Sequence, residues 1–374
     1  MPSPRYYITV VSGLEEVAWG ELQEKLAAPR LVRMERGRVF FDSASPPREL
    51  LALRSVENVL AYAGDFGGIT ADTNSLEHVR REVAQIPLDE QVLMYESITG
   101  PKPEPSFRVT AHRSGTHDFN SVQVAAAAGA GVIDRYGWRV DLTGHDLEVR
   151  VDVREDMCLV GLRLSDVALS RRSRIEHGPA SLKSTVAHCM IRLIGWHSNE
   201  AFVDPMCGTG TILVERIALG FPRLLVGGER EERMLQKSVI NLAAALSPRP
   251  PARDAGQGCL APTAATPPAE DAPVRFVRWD ARRVPVAAGC VDRIVCNLPW
   301  GRRVGSHRVN VHLYPAFVRE VGRMLAEGGK AALLTAEKRL ITRCIHREHR
   351  LALDGIRPIR VGGLRASIYV VKRL

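Results

Sequence analysis

Long hydrophobic runs and an ordered cysteine pattern are both missing from this 374-residue sequence. No apolar stretch reaches about 18 residues, so no transmembrane helix is predicted. The first residues, MPSPRYYITVV, carry one arginine and no long apolar region, and therefore do not predict a signal peptide. The seven cysteines are scattered without a C-x-x-C pair, which argues against a disulfide framework or a zinc site. We therefore expect a cytoplasmic protein without a bound metal or a membrane partner.

Lysine is scarce as well, with only seven among 51 basic residues. A GC-rich genome is the simplest reason for the arginine excess. The distribution of charge is more informative, because residues 301–374 hold 16 basic and 5 acidic residues while the whole chain has a formal net charge of +9. The rest of the chain is therefore close to neutral. A basic C-terminal region indicates a polyanionic partner. The alternative interpretation is a basic face that is exposed only to solvent.

Residues 1–70 are predicted to form a compact unit of alternating strands and helices. In chain order we expect a strand at Tyr6–Val11, a helix at Leu14–Leu26, strands at Leu31–Met34 and Arg38–Phe41, a helix from Pro46, and a strand at Val59–Tyr62. The order βαββαβ is that of a ferredoxin-like fold.

Residues 71–166 are predicted to form a second α+β unit. A helix begins at Ser75, a strand covers Ser106–His112 and an alanine-rich helix covers Ser121–Tyr136. Apolar residues from Leu147 to Val153 then alternate with charged ones, which is the period of a strand with one buried face. A strand at Met157–Leu164 is expected to pair with it.

After a linker at 167–180, residues 181–374 are predicted to form an α/β domain with a doubly wound parallel sheet. The predicted strands alternate with helical or loop stretches and lie at Ala201–Val203, Leu224–Val226, Val274–Val277, Arg293–Cys296 and Ala331–Thr335. Residues 247–272 interrupt this pattern. They are rich in proline, alanine and glycine and show no periodicity, so we expect a disordered insertion there.

The segment Asp204–Thr211, DPMCGTGT, lies between a predicted buried strand and a predicted helix. Gly208 and Gly210 allow a tight turn and let the backbone approach a ligand closely. The free N–H groups at the start of the following helix suit a carboxylate or phosphate. A strand, a G-x-G turn and a helix, with an aspartate at the strand end, predict binding of a nucleotide-like cofactor.

Acidic residues also follow the next two predicted strands. Glu229 comes 25 residues after Asp204, and its carboxylate can accept hydrogen bonds from both hydroxyls of a ribose. Asp280 follows the third strand and can accept a bond from an adenine amino group. Either acid alone is more often a solvated residue at a strand end. Because Glu229 and Asp280 lie at consecutive strand ends of one predicted sheet, a role in cofactor binding is favoured for both.

The fourth predicted strand ends in Asn297-Leu298-Pro299-Trp300. The amino group of a base is a poor nucleophile because its lone pair is delocalised into the ring. The Asn297 side-chain oxygen and the Leu298 carbonyl can accept its two hydrogens, while Trp300 stacks on the ring. An isolated Asn-x-Pro is more often a turn, but ligands bind at strand ends in open α/β sheets.

These four motifs in this order resemble the class I S-adenosylmethionine-dependent methyltransferases that act on amino groups. The segment 177–195 is similar to the helix that precedes the sheet in the RNA-modifying members, and residues 106–172 resemble a THUMP domain, which binds RNA. The order of the units resembles the tRNA guanine-N2 methyltransferases acting at position 6 of the acceptor stem. This resemblance covers nearly the whole chain except 247–272.

The resemblance implies a role for each matching residue. Asn297, Leu298, Pro299 and Trp300 would hold the guanine amine, with Asn297 also beside the cofactor. The S-adenosylmethionine residues would be Asp204, Pro205, Cys207, Gly208, Thr209, Gly210, Thr211, Glu229, Asp280 and Ala281. Many relatives have proline at position 298, and the leucine here leaves the carbonyl in place but loses a stiffening ring. The THUMP unit would dock the acceptor stem and 3′ end of tRNA, and a monomer is favoured.

Four further basic residues are predicted to contact the RNA backbone. The residues that follow the catalytic loop can contact phosphates around a flipped nucleotide, although exposed loop arginines are common; they are Arg302, Arg303, His307 and Arg308.

The nearest alternative function is the same chemistry on adenine N6 in RNA or DNA. An inactive RNA-binding protein and a small-molecule methyltransferase are the others. The intact G-x-G loop argues against the former, and the N-terminal 165 residues argue against the latter.

Overall fold

The structure is a computed structural model that describes residues 3–165, 168–171, 175–176, 178, 181–247, 274–301 and 305–374. The predicted insertion at 247–272 lies outside the described residues except for Ser247, and the predicted linker lies partly outside them. The described residues form two seven-stranded sheets. No helix in this part of the chain combines the length and apolar character that a membrane span needs.

The first half of the N-terminal sheet has the predicted ferredoxin-like topology. Its elements are β1 (Arg5–Thr9), α1 (Glu15–Lys25), β2 (Arg30–Glu35), β3 (Arg38–Asp42), α2 (Pro47–Leu50) and β4 (Asn58–Phe66). The strand order is β2-β3-β1-β4 and every pair is antiparallel. The apolar faces of β1 and α1 pack together through side chains such as Tyr6, Ile8 and Leu22.

The second half of this sheet comes from the unit predicted at 71–166. Its elements are α3 (Ser75–Gln85), α4 (Asp89–Thr99), β5 (Phe107–Ser114), α5 (Ser121–Tyr136), β6 (Leu147–Arg154) and β7 (Met157–Arg163). A capping box of Asn120 and Gln123 starts α5 at the predicted residue. Since β7 pairs with β4, the order continues as β4-β7-β6-β5 in one sheet. The boundary at residue 70 stays a prediction.

The C-terminal sheet is doubly wound, as predicted. After a 3₁₀ turn at Leu169–Arg171, its elements are α6 (Ser184–Ile194), β8 (Ala201–Asp204), α7 (Thr211–Ile217), β9 (Leu224–Glu229), α8 (Glu232–Leu246), β10 (Val274–Arg278), β11 (Val291–Asn297), α9 (His307–Met324), β12 (Leu325–Thr335), α10 (Lys338–Arg347), β13 (Leu351–Val361) and β14 (Leu364–Arg373). The order is β10-β9-β8-β11-β12-β14-β13, and only β14 runs against the others.

A buried cluster of charged residues joins the two halves of the molecule. The Arg54 guanidinium donates to both carboxylate oxygens of Glu215 on α7, at 2.8 and 3.0 Å. Glu21 on α1 accepts the backbone N–H groups of Arg54 and Ser55, and His188 on α6 lies 3.5 Å from each of the two carboxylates. Burial raises the pKa of Glu21, but His188 and Lys25 outweigh burial and bring that pKa well below its ordinary value.

We predict that Arg54→Ala strongly destabilises the protein, because the buried carboxylate of Glu215 loses the guanidinium that donates two hydrogen bonds to it. Loss of one member of a buried ion pair costs about 3–5 kcal/mol. The matched control is Arg357→Ala, which removes an exposed bond to Glu16 between the same two halves. An exposed pair contributes about 0–1 kcal/mol. Urea-induced unfolding followed by circular dichroism measures both, and equal losses would contradict the role given to the cluster.

Candidate active site

The carboxyl ends of four parallel strands, β10, β9, β8 and β11, meet along one edge of the C-terminal sheet. A cavity of about 490 Å³ opens there. Every residue predicted for the cofactor and for the catalytic loop lines this cavity, with the exception of Gly210. The doubly wound order therefore brings together motifs that are almost 100 residues apart in the sequence.

The loop between β8 and α7 depends on two glycines for different reasons. Gly208 has a φ of +53° and no atom within 4 Å of the position of an added Cβ, so its backbone faces open space. Gly210 has a φ of +78° and caps α7, and an added Cβ would lie 2.9 Å from Cβ of Ser238. Gly210 thus serves the close packing of α8 behind the loop and does not line the cavity.

Asp204 is the most deeply buried acid of the cavity, with 1% of its surface exposed. One carboxylate oxygen accepts the N–H of Met206 at 3.3 Å, and the other, Oδ2, is buried without a hydrogen-bond partner. Burial raises the pKa of Asp204 well above its ordinary value, and the nearby charge of Glu229 raises it further. A buried carboxylate oxygen at the wall of a cavity is suited to a cationic ligand group.

Glu229, the last residue of β9, is held against the glycine loop. Its Oε2 accepts the N–H of Gly208 at 3.0 Å, and its Oε1 accepts the N–H groups of Arg230 and Glu231. The preceding Gly228 is required by Trp279, because an added Cβ would lie 1.7 Å from the indole ring. The Trp279 ring also donates to the carbonyl of Pro205 at 2.9 Å. These contacts connect the ends of β8, β9 and β10.

Asp280 lies at the cavity but is engaged by a neighbour that sequence analysis did not consider. The Arg282 side chain donates to both of its oxygens, with the shortest contact at 2.6 Å. The hydrogen bond from Arg282 lowers the pKa of Asp280. Ala281 lies beside them and also lines the cavity. Asp280 is therefore a fixed anion at the end of β10.

The loop Asn297–Trp300 is fastened from two sides. Leu298 donates its N–H to the carbonyl of Leu334, and its side chain is buried in the core. The Pro299 carbonyl accepts from Asn310 at 2.8 Å and from the Tyr314 hydroxyl at 2.7 Å, both on α9. These bonds fix the backbone of the loop without help from a second proline.

The side chain of Asn297 is oriented by Trp300. The indole N–H of Trp300 donates to Oδ1 of Asn297 at 3.1 Å. A carbonyl oxygen has two lone pairs, so Oδ1 can accept one further hydrogen bond. Both residues line the cavity, next to Gly305 and Val309 at the start of α9.

Several lining residues were not found by sequence analysis. Ser181 contacts the Thr209 hydroxyl at 3.2 Å, and Lys183 forms an ion pair with Glu57 of the N-terminal half. The turn between β13 and β14 also reaches the cavity through Val361, Gly362 and Leu364. The pair Gly362-Gly363 between two apolar stretches is a hairpin signal that could have revealed this turn. Asn310 carries no comparable signal.

Two of the four residues predicted to contact phosphates are described by the structure, and neither lines the cavity. Arg302 and Arg303 are outside the described residues. His307 and Arg308 are exposed in the first turn of α9 and do not line the cavity. His307 contacts the carboxylate of Glu337 at 2.8 Å.

Comparison with known proteins gives a consistent picture. A family model described as an RMKL-like methyltransferase domain matches residues 171–365, and a THUMP domain model matches residues 91–163. The human protein named tRNA (guanine(6)-N(2))-methyltransferase THUMP3 is 34% identical over 71% of this chain and 51% of its own length. The Thermus thermophilus protein named tRNA (guanine(6)-N2)-methyltransferase is 32% identical over 72% of this chain and 73% of its own length.

The crystal structure of TrmN from Thermus thermophilus superposes with a TM-score of 0.75 at 27% identity and covers 99% of both chains. The present chain spans about half the length of the human relative. The methyltransferase model alone matches more than half of the chain, and it includes the loop after β8, the loop after β11 and the strand ends between them. The chain belongs to the family of RMKL-like methyltransferase domains and carries a THUMP domain ahead of it.

Proposed function

We propose that this protein is an S-adenosylmethionine-dependent tRNA methyltransferase that forms N2-methylguanosine, at position 6 of the acceptor stem. The observation that carries the proposal is the single cavity where the glycine loop, Glu229, Asp280 and Asn297 meet. The relatives named as tRNA guanine-N2 methyltransferases, including one with a similar overall length, support the substrate class. The THUMP domain supports an RNA substrate.

The cavity fits S-adenosylmethionine, which supplies an activated methyl group when bound. Oδ2 of Asp204, buried and without a partner, suits the ammonium of the methionine end. The open backbone at Gly208 leaves room for a ligand atom where any side chain would intrude. Glu229 and Asp280 are proposed to bind the ribose and the adenine, respectively, and Ala281 is proposed to offer a small surface beside the ring; all three line the cavity.

Asn297 and Leu298 are proposed to accept the two hydrogens of the guanine amine. The indole N–H of Trp300 donates to the side-chain oxygen of Asn297 and so orients the amide. The same oxygen is proposed to accept a hydrogen from the guanine amine. Because the Leu298 side chain is buried, the group that this residue offers is its carbonyl. Both oxygens stabilise the positive charge that develops on the amine during transfer, and the fixed loop avoids reorganisation. Pro299 holds the loop in shape, and bulk water can take the released proton.

The N-terminal half is proposed to dock the tRNA. The ferredoxin-like and THUMP units would bind the acceptor stem and 3′ end and present the target base to the cavity. The buried pair of Arg54 and Glu215 connects the N-terminal half to the methyltransferase domain, which supports a defined placement of the docked tRNA relative to the cavity. The monomeric state and the cytoplasmic location stay predictions.

Asn297→Ala is expected to reduce kcat for methyl transfer to unmodified tRNA transcripts by about 100-fold or more, because a preorganised partner of the transition-state charge is lost. Asn199→Ala, an exposed asparagine before β8, is the matched control and retains the wild-type rate. Transfer of a labelled methyl group measures both variants, and calorimetry shows whether the cofactor still binds. A fully active Asn297→Ala protein would refute the proposed catalytic loop.

The affinity for S-adenosylmethionine is expected to rise as the pH increases from acidic values toward neutrality. The cofactor amine is an α-amino group with a pKa near about 8, so it stays charged over this range. Asp204, whose pKa is raised, must lose its proton to pair with that amine, and it does so more readily as the pH rises. Calorimetry at several pH values measures the trend. Asp204→Asn should bind more weakly and lose the trend, and a variant with the wild-type trend would contradict this role.

A further inference from the structure

The outer face of α10 carries a dense row of positive charge. The helix has the sequence KRLITRCIHR and contains no acidic residue. Ile341, Cys344 and Ile345 are buried against the sheet, so the charged side chains lie on the opposite face. We call this face the α10 basic surface; its exposed members line a shallow concavity and are Lys338, Arg339, Arg343, His346 and Arg347.

Nothing in the described part of the chain neutralises this surface. The two acids that flank α10 in the sequence have other partners, because Glu337 pairs with His307 and Glu348 pairs with Arg350. Arg339, Arg343 and Arg347 repeat every four residues, a spacing at which like charges repel along a helix. Lys338 and Arg339 also occupy the first turn, where the helix dipole disfavours cations. This arrangement costs stability by itself, so it favours an external anion.

The α10 basic surface begins at the edge of the sheet where the cavity opens. β12 is parallel to β11, so α10 begins at the same edge of the sheet as the catalytic loop. Glu337, the residue before α10, lies close to Gly301, the residue after the catalytic loop, since a Cβ added to Gly301 would lie 2.8 Å from its carboxylate. Arg360 and Arg365 face each other across β13 and β14, close to the turn that lines the cavity. Like charges in direct opposition add to the same positive field.

We propose that the α10 basic surface binds the sugar–phosphate backbone of the substrate RNA beside the target nucleotide. This inference rests on the proposed function and adds the methyltransferase domain itself to the RNA-binding surface. Arg339 and Arg347 are separated by eight residues, about 12 Å along the helix, so the row can contact successive phosphates of one strand. It also accounts for four of the 16 basic residues in 301–374.

The test compares two triple variants that remove the same charge. Arg339→Gln, Arg343→Gln and Arg347→Gln together remove the arginine row, and glutamine keeps a good helix former at each position. The control replaces Arg223, Lys330 and Lys372, which lie toward the opposite edge of the same sheet, with glutamine. Equilibrium binding of an unmodified tRNA transcript is measured for the full chain at a series of salt concentrations, together with KM and kcat for methyl transfer.

The arginine-row variant should bind tRNA about tenfold or more weakly, and the slope of log affinity against log salt should become shallower by about two to three. Its KM should rise while kcat at saturating tRNA and the affinity for S-adenosylmethionine stay unchanged. The control variant should bind as the wild type does. Unchanged binding by the arginine-row variant, or equal weakening in both variants, overturns the inference. Failure of the wild type itself to methylate tRNA refutes the proposed function instead, and the binding comparison still decides on the surface.

Discussion

The candidate site depends on the parallel pairing of β9, β8 and β11. Because these strands run in the same direction side by side, their carboxyl ends and the loops that follow them share one edge. β9 and β10 lie on one side of β8 and β11 lies on the other. Helices α7 and α8 belong to one buried core cluster, and helices α9 and α10 belong to another. The gap created at this point is the cavity, and each motif contributes to it only because its strand ends there.

The loops at this edge are held in place because buried side chains form hydrogen bonds with their backbone groups. The Thr209 carbonyl accepts from Asn241, which also accepts the N–H groups of Ile175 and Glu176. The Pro299 carbonyl is fixed in a similar way by Asn310 and Tyr314 of α9. A reaction that depends on position and complementary charge needs this kind of support, since a small displacement of the acceptors lowers their effect sharply.

Helices and loops that are encoded in consecutive residues could be predicted from the sequence. The alanine-rich helix α5 was predicted at its observed bounds because its capping box and period lie within one segment. The cavity lining was largely predicted as well, because strand–turn–helix motifs are written in consecutive residues. The helix α4 was missed, since only Gln91 and Tyr95 are buried and its apolar face is indistinct.

Features built from distant residues could not be predicted. The contact between Arg54 and Glu215 joins positions 161 residues apart, and no pattern around either residue indicates a partner. The strands β13 and β14 were also missed, although β14 is largely buried. The turn between them lies far from the cofactor motifs in the sequence, so its position at the cavity could not be predicted. The basic C-terminal region was predicted from a count of charges, and only the fold shows that four of its 16 basic residues lie on one helix face.

The most direct test of the central claim is the identity of the methylated atom. Wild-type protein is incubated with S-adenosylmethionine carrying a labelled methyl group and with two tRNA transcripts. One has guanosine at position 6, and the other has inosine there, which lacks only the exocyclic amine. The account predicts labelled N2-methylguanosine from the first transcript and no label in the second. Labelled N6-methyladenosine, or equal labelling of both transcripts, would contradict it.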